Sequence, residues 1–256
     1  MNFFSPRSAA ERYSKGRYFF HPLVVGRVKE MLALDELLPR ALDVGCGTGL
    51  STVALQEVAR EVVGVDASAE MLALARAAKG VRYVNAQAER LPFSDGAFDL
   101  VTLSQVFHWL DKAGFFAEAR RVLREDGWLI VYDNYFAGRM EENADFHDTF
   151  HAAYLSKFPS PVRAWTNITE EDARGAGFQL LRHESLPTTT RFSPETLTGY
   201  LVTQSNVIAA VEVGGEDIGD VRRWLLERIE PLFGGAPEAA FLFRAPVWYL
   251  RRAASV

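Results

Sequence analysis

Residues 41–49 read ALDVGCGTG: a short apolar run that closes on Asp43 and breaks into three alternating glycines, Gly45, Gly47 and Gly49, ahead of a helix-periodic segment. Glycine accepts positive φ without a Cβ clash and lets a ligand lie close to the main chain, so the spacing predicts a tight turn from a strand into a helix. The next apolar run, EVVGVD, ends in Asp66, 21 residues after Gly45. That separation is what a βαβ unit needs to bring a carboxylate beside a ribose held over the first turn.

The surrounding pattern extends this unit. ALDVG, EVVGVD, VRYVNA, FDLVTLS and GWLIVYD are strand candidates. TVALQEVA, AEMLALARAA and GFFAEARRVLRE between them carry apolar residues at three- and four-residue spacing, so each can bury one face on a sheet. Alternating strands and helices imply a parallel sheet, whose ligands lie beyond the carboxyl ends of the strands. Those ends are residues 43–49, 66, 86–89, 104–109 and 132–134. Upstream, apolar periodicity over 22–38 predicts a covering helix ended by Pro39. Downstream, 169–176, 194–211 and 217–230 read as helices and 178–186 as a strand. FLFRAPVWYLRR closes the chain as a strand that Pro246 confines to an edge or a bulge.

A glycine turn with a distal acid also describes dinucleotide sites. In those the third glycine falls three places after the second, a position held here by Leu50. A carboxylate at Asp43 repels a pyrophosphate and suits a ligand carrying an ammonium and a sulfonium, so the charges favour a cationic adenosyl ligand. The 28 basic and 33 acidic residues sum to a net charge of -5, which provides no general attraction for nucleic acid or anionic lipid. The pairs Arg222/Arg223 and Arg251/Arg252 read as solvated faces. Cys46, the sole cysteine, excludes an intramolecular disulfide and a cysteine-cluster metal site, and reads as packing within the turn. With no signal-peptide pattern and no membrane-length apolar run, the expectation is a cytoplasmic protein.

Four elements in order, ALDVGCGTGLS, VVGVDASAEML, AERLPFSDGAFDLV and SQVFHWLDKAGFFAEARRVLREDGWLIV, make the chain resemble the class I S-adenosylmethionine-dependent methyltransferases. The likeness is to their small-molecule (type 11) branch, related to quinone-biosynthesis and trans-aconitate methyltransferases. It implies a Rossmann-like α/β fold: a doubly wound, seven-stranded, mostly parallel sheet with an antiparallel late strand, a helical cover and helical insertions. The expected organisation is a cover over 1–38, a cofactor core over 39–134 and a substrate-facing part of the same domain over 135–256. The implied cofactor is S-adenosyl-L-methionine, with S-adenosyl-L-homocysteine as product and a small molecule as methyl acceptor.

Position by position, the resemblance implies that Asp43, Gly45, Cys46, Gly47 and Gly49 hold the methionine portion. Asp66 accepts from the ribose hydroxyls, and Ala67 and Met71 flank the adenine. Gln87 stands where the family often has an acid, Ala88 offers a backbone N–H, and Ser104 and Gln105 close the fourth strand beside the amino-acid end. AERYSKGRYFFHP resembles the helix laid over the cofactor in such enzymes and places Tyr13 and Arg17 near it. Tyr18, Trp109, Tyr132, Asn134 and Trp165, with Asp133, are candidates for the substrate pocket.

A sulfonium methyl is already activated, so the protein mainly aligns a nucleophile. His108, following the fourth strand, is the candidate general base; its alternative role is to shape the loop. His147 and His151 have metal-ligand spacing but no HExxH glutamate, and the expectation is no metal. Two other readings stay open: a nicotinamide-dependent oxidoreductase, and a regulator that binds the adenosyl cofactor without turnover.

Overall fold

A computed structural model describes residues 6–162 and 167–253. The chain forms two compact units. The first comprises 1–18, 134–162 and 187–244; the second comprises 19–133, 163–186 and 245–256. Eight strands occur among the described residues: β1 (Leu38–Val44), β2 (Ala59–Asp66), β3 (Val81–Asn85), β4 (Phe98–Ser104), β5 (Leu123–Tyr132), β6 (Tyr135–Met140), β7 (Phe178–Phe192) and β8 (Ala239–Arg252).

The second unit holds the expected Rossmann-like sheet, in the order β3-β2-β1-β4-β5-β8, with β7 paired to β8. Pairs among β1–β5 are parallel and β8 runs antiparallel to β5. Every residue of β4 is buried, as a strand covered on both faces requires. The helix Lys112–Val122 buries Phe115, Phe116, Ala119 and Val122 against this core and starts at Asp111, whose carboxylate accepts from the Ala113 N–H.

In the first unit β6 pairs antiparallel with the start of β8, a strand unforeseen in the polar and aromatic segment after the core. An aromatic cluster including Phe146, Phe150, Tyr200, Phe241 and Phe243 fills the unit. The helix Arg7–Gly16 meets Pro194–Leu201 at Gly16, where a Cβ would lie 2.3 Å from the Gly199 carbonyl oxygen.

Several sequence expectations are corrected. The covering helix ends at Met31, not Leu38; Ala33 takes φ +48°, and Pro39 enters β1 between the paired residues Leu38 and Arg40, where no ladder donor is needed. In AEMLALARAA only Ala69–Leu72 is helical. The chain then turns so that the Arg76 N–H reaches the Thr48 carbonyl and the Arg76 carbonyl accepts from Tyr83 Oη; tertiary contacts override helix propensity. The helix in GFFAEARRVLRE stops at Val122 because Leu123 already pairs with Phe98. Residues 194–211 divide into Pro194–Leu201 and Ser205–Glu212, with Thr203 Oγ1 donating to the Tyr200 carbonyl at the break. β7 continues past 186 to Phe192. Pro246 sits in a paired strand, between residues bonded to β6 and residues bonded to β5, and its carbonyl accepts from Asp133.

Candidate active site

The carboxyl ends of β1, β2 and β4 converge on the glycine turn. Gly45, Gly47 and Gly49 have φ of +70°, +53° and +78°, the conformation that selects glycine. The Gly45 and Cys46 N–H groups donate to the Val65 carbonyl, which pins the turn to the end of β2. Side chains pack where Cβ atoms would sit: Val106 against Gly45 and the Tyr83 hydroxyl against Gly49.

Two carboxylates bracket this turn. Asp43 is fully buried, in register with Gly64 on one side and Thr102 on the other. Its Oδ2 accepts from Ser51 Oγ (2.6 Å) and Thr52 Oγ1 (2.7 Å), and its Oδ1 from Thr102 Oγ1 (3.2 Å). Burial pushes its pKa up to about 6 against the pull of these hydroxyls, and the charge of Asp66 adds to the rise. Asp66, half-buried, accepts the Gly47 N–H on Oδ2 and the Ser68 N–H on Oδ1, both at 2.8 Å. Its pKa is also raised, by burial. Two bonds leave an ionised carboxylate with acceptor capacity for vicinal hydroxyls. Among the described residues neither carboxylate forms an ion pair with a cation.

At the end of β4, Ser104 Oγ is buried and has no hydrogen-bond partner among the described residues, a cost that a ligand able to hydrogen-bond there would relieve. The following residue, Gln105, takes φ +59°, rare for a side chain of this kind, and its N–H donates to the Tyr132 carbonyl. Met71 is buried, its methyl 3.0 Å from where a Gly47 Cβ would stand; Ala88 is buried, and Ala67 and Gln87 are exposed. The Cys46 thiol is buried with its pKa pushed up by that burial, which keeps it protonated.

His108 and Trp109 belong to a 3-10 turn after β4. His108 is buried, its Nδ1 3.8 Å from Asp133 Oδ2. Tyr132, also buried, places its hydroxyl 3.0 Å from His21 Nδ1. The remaining candidates lie in the first unit. There Arg17 stacks over the rings of Tyr13 (4.7 Å) and Tyr200 (5.5 Å), and Asn134 Nδ2 donates to the Tyr18 hydroxyl. Trp165 lies outside the described residues. His147 and His151 share a face, with ring centroids 5.4 Å apart; among the described residues no three potential ligands gather for a metal.

Sequence reasoning missed the hydroxyls that hold Asp43. Adjacent Ser51 and Thr52 at the start of an otherwise apolar helix, and a lone Thr102 within FDLVTLS, were the available signal: buried hydroxyls need a partner. His21 carried no such signal, since only the tertiary fold brings it to Tyr132.

The donor set suits a cationic nucleoside: a buried and a half-buried carboxylate without an ion-pair partner among the described residues, a glycine turn between them, and an unpartnered hydroxyl at the end of the neighbouring strand. These features lie at the carboxyl ends of a β3-β2-β1-β4-β5 sheet, the arrangement of a Rossmann-like methyltransferase fold. Residues 42–131 match the family described as Methyltransferase domain. An uncharacterized methyltransferase of Mycobacterium tuberculosis is 29% identical over 239 residues, spanning 91% of this chain and 87% of that protein. A solved structure from Anaeromyxobacter dehalogenans, assigned as a type II methyltransferase, superposes with a TM-score of 0.68 at 24% identity, covering 91% of this chain and 97% of that one. Phosphoethanolamine N-methyltransferase 2 of Haemonchus contortus, solved with phosphomonomethylethanolamine and S-adenosylhomocysteine, shares the fold at a TM-score of 0.57 and 19% identity, over 98% of this chain and 59% of that one. Over residues 42–131 the chain matches a methyltransferase domain, and its fold is that of Rossmann-like methyltransferases.

Proposed function

We propose that the protein transfers the methyl group of S-adenosylmethionine to O, N or C of a small-molecule acceptor by in-line displacement. The observation that carries this reading is the pair Asp43 and Asp66: a fully buried and a half-buried carboxylate around a glycine turn, with no ion-pair partner among the described residues. When bound, the cofactor supplies an activated methyl group. Asp66 accepts from ribose hydroxyls while its own backbone bonds fix its plane. Ser104 completes its hydrogen bonding with the amino-acid end. Asp43 acts through its charge and through the hydroxyls that tie β1 and β4 to the helix after the turn, because its oxygens are engaged.

His108 is the group that takes a proton from an acceptor that must lose one; its Nδ1 lies 3.8 Å from Asp133 Oδ2. Tyr13 and Arg17 are assigned to the cofactor, and Tyr18, Trp109, Tyr132 and Asn134 to the acceptor. Calorimetry with S-adenosylhomocysteine and with NADH tests the binding half of the proposal: the former binds and the latter does not. Transfer of a labelled methyl group to a panel of carboxylate, phenol and amine acceptors tests the rest. Binding of NADH in place of the adenosyl ligand would refute the reading, and binding without transfer to any acceptor would reduce it to a cofactor-binding protein.

A further inference from the structure

The second unit also contains a cavity of about 700 Å³ alongside the helix Lys112–Val122, a size that suits a small organic ligand. Its floor is apolar, formed by buried Phe107, Phe116 and Ile168. Its charged wall is cationic, although the chain as a whole carries a net charge of -5. Arg121 is already saturated by Glu118, Asp95 and the carbonyls of Leu91 and Phe93. Asp172 is engaged by the Thr169 N–H and hydroxyl at the start of the next helix.

Arg120 and Arg252 differ from these. Among the described residues neither forms an ion pair, and each has a buried Nε with no hydrogen-bond partner. The sequence placed Arg252 on a solvated face, yet it is half-buried, with Nη1 donating to the Leu123 carbonyl. Both arginines line the cavity, and Gly177 makes room for Arg120. A Cβ there would lie 2.5 Å from Arg120 Nε, and the Gly177 carbonyl accepts from the N–H of Ala253, next to Arg252. Two uncompensated guanidinium groups at the edge of a dry floor are an arrangement for an oxyanion attached to an apolar body.

We infer that this cavity binds a small organic anion, its apolar body on Phe107, Phe116 and Ile168 and its carboxylate, sulfonate or phosphate on Arg120 and Arg252. The site is built from residues other than those around the glycine turn, so it stands whether or not methyl transfer is the activity. The probe is 8-anilinonaphthalene-1-sulfonate, followed by fluorescence and calorimetry on the full chain, with decanoate and inorganic phosphate as competitors. One saturable site is expected, displaced by decanoate and unaffected by saturating S-adenosylhomocysteine. Displacement by phosphate at low millimolar concentration assigns the affinity chiefly to the arginines.

Arg120→Gln combined with Arg252→Gln should weaken the probe at least tenfold. Ala117→Trp, an exposed helical position on the cavity wall, should abolish binding by filling the cavity while leaving the arginines' charge and the core unchanged. Both variants should keep the melting temperature and the affinity for S-adenosylhomocysteine. No saturable binding, equal binding to the native chain and the Ala117→Trp variant, or competition by S-adenosylhomocysteine would overturn the inference.

Discussion

Replacing Asp43 with Asn removes a charge and almost nothing else. The carboxylate is fully buried and burial pushes its pKa up to about 6, from an ordinary value of 3.8. A carboxyl whose folded-state pKa exceeds its unfolded value favours unfolding once ionised: the penalty is absent below the unfolded value, grows as pH rises and is complete above the folded value. The gap of about 2 units corresponds to about 3 kcal/mol at pH 7. Asparagine escapes that penalty and still places polar atoms against the rotatable hydroxyls of Ser51, Thr52 and Thr102. Some charge-assisted bonding is lost, so about 3 kcal/mol is an upper limit, or up to roughly 10 °C in melting temperature for a chain of this size.

The same substitution should weaken a cationic ligand, whose binding favours ionised Asp43. Thermal melts from pH 5 to 8 with and without S-adenosylmethionine separate the two effects. The apo variant should gain most over the native chain above pH 6 and lose its advantage toward pH 4. In the native chain, ligand affinity should fall as pH drops through about 6; in the variant that dependence should disappear. A variant less stable than the native chain at pH 7, with undiminished ligand affinity, would refute the argument that Asp43 is an uncompensated buried charge.

Ser104→Ala deletes a hydroxyl that has no partner among the described residues, so chemical denaturation should show no loss of stability, while calorimetry should show S-adenosylhomocysteine binding about fivefold weaker, the value of about one hydrogen bond. Gly49→Ala forces a Cβ into a φ of +78° and to 2.2 Å from the Tyr83 hydroxyl; urea unfolding should register a loss of at least about 1–2 kcal/mol, the cost of the left-handed backbone alone. His108→Ala should lower turnover more than cofactor affinity in steady-state and calorimetric measurements, and an unchanged rate with the native acceptor would remove His108 from the catalytic group.

What the sequence made legible follows from the range of the forces involved. The strand β1, the glycine turn and Asp66 are set by local chemistry: apolar alternation, positive φ and the length of one βαβ crossover, all visible along the chain. Segment 73–78 was misread as helix because its alanines and leucine favour one; the competing bonds, Arg76 to Thr48 and Tyr83 to Arg76, join residues brought together only by the sheet. Arg252 was misplaced for the same reason, since its neighbours in sequence cannot show that its Nη1 reaches the Leu123 carbonyl, 129 residues away. Asp43 lies between these cases. Its identity was legible as charge, but its mode of action depends on three hydroxyls from β4 and the following helix, which convert an expected ligand contact into a buried field source. A buried carboxylate held this way keeps its position whether or not a ligand is present, so the cost of its desolvation is borne in folding and the attraction for a cation is ready before binding.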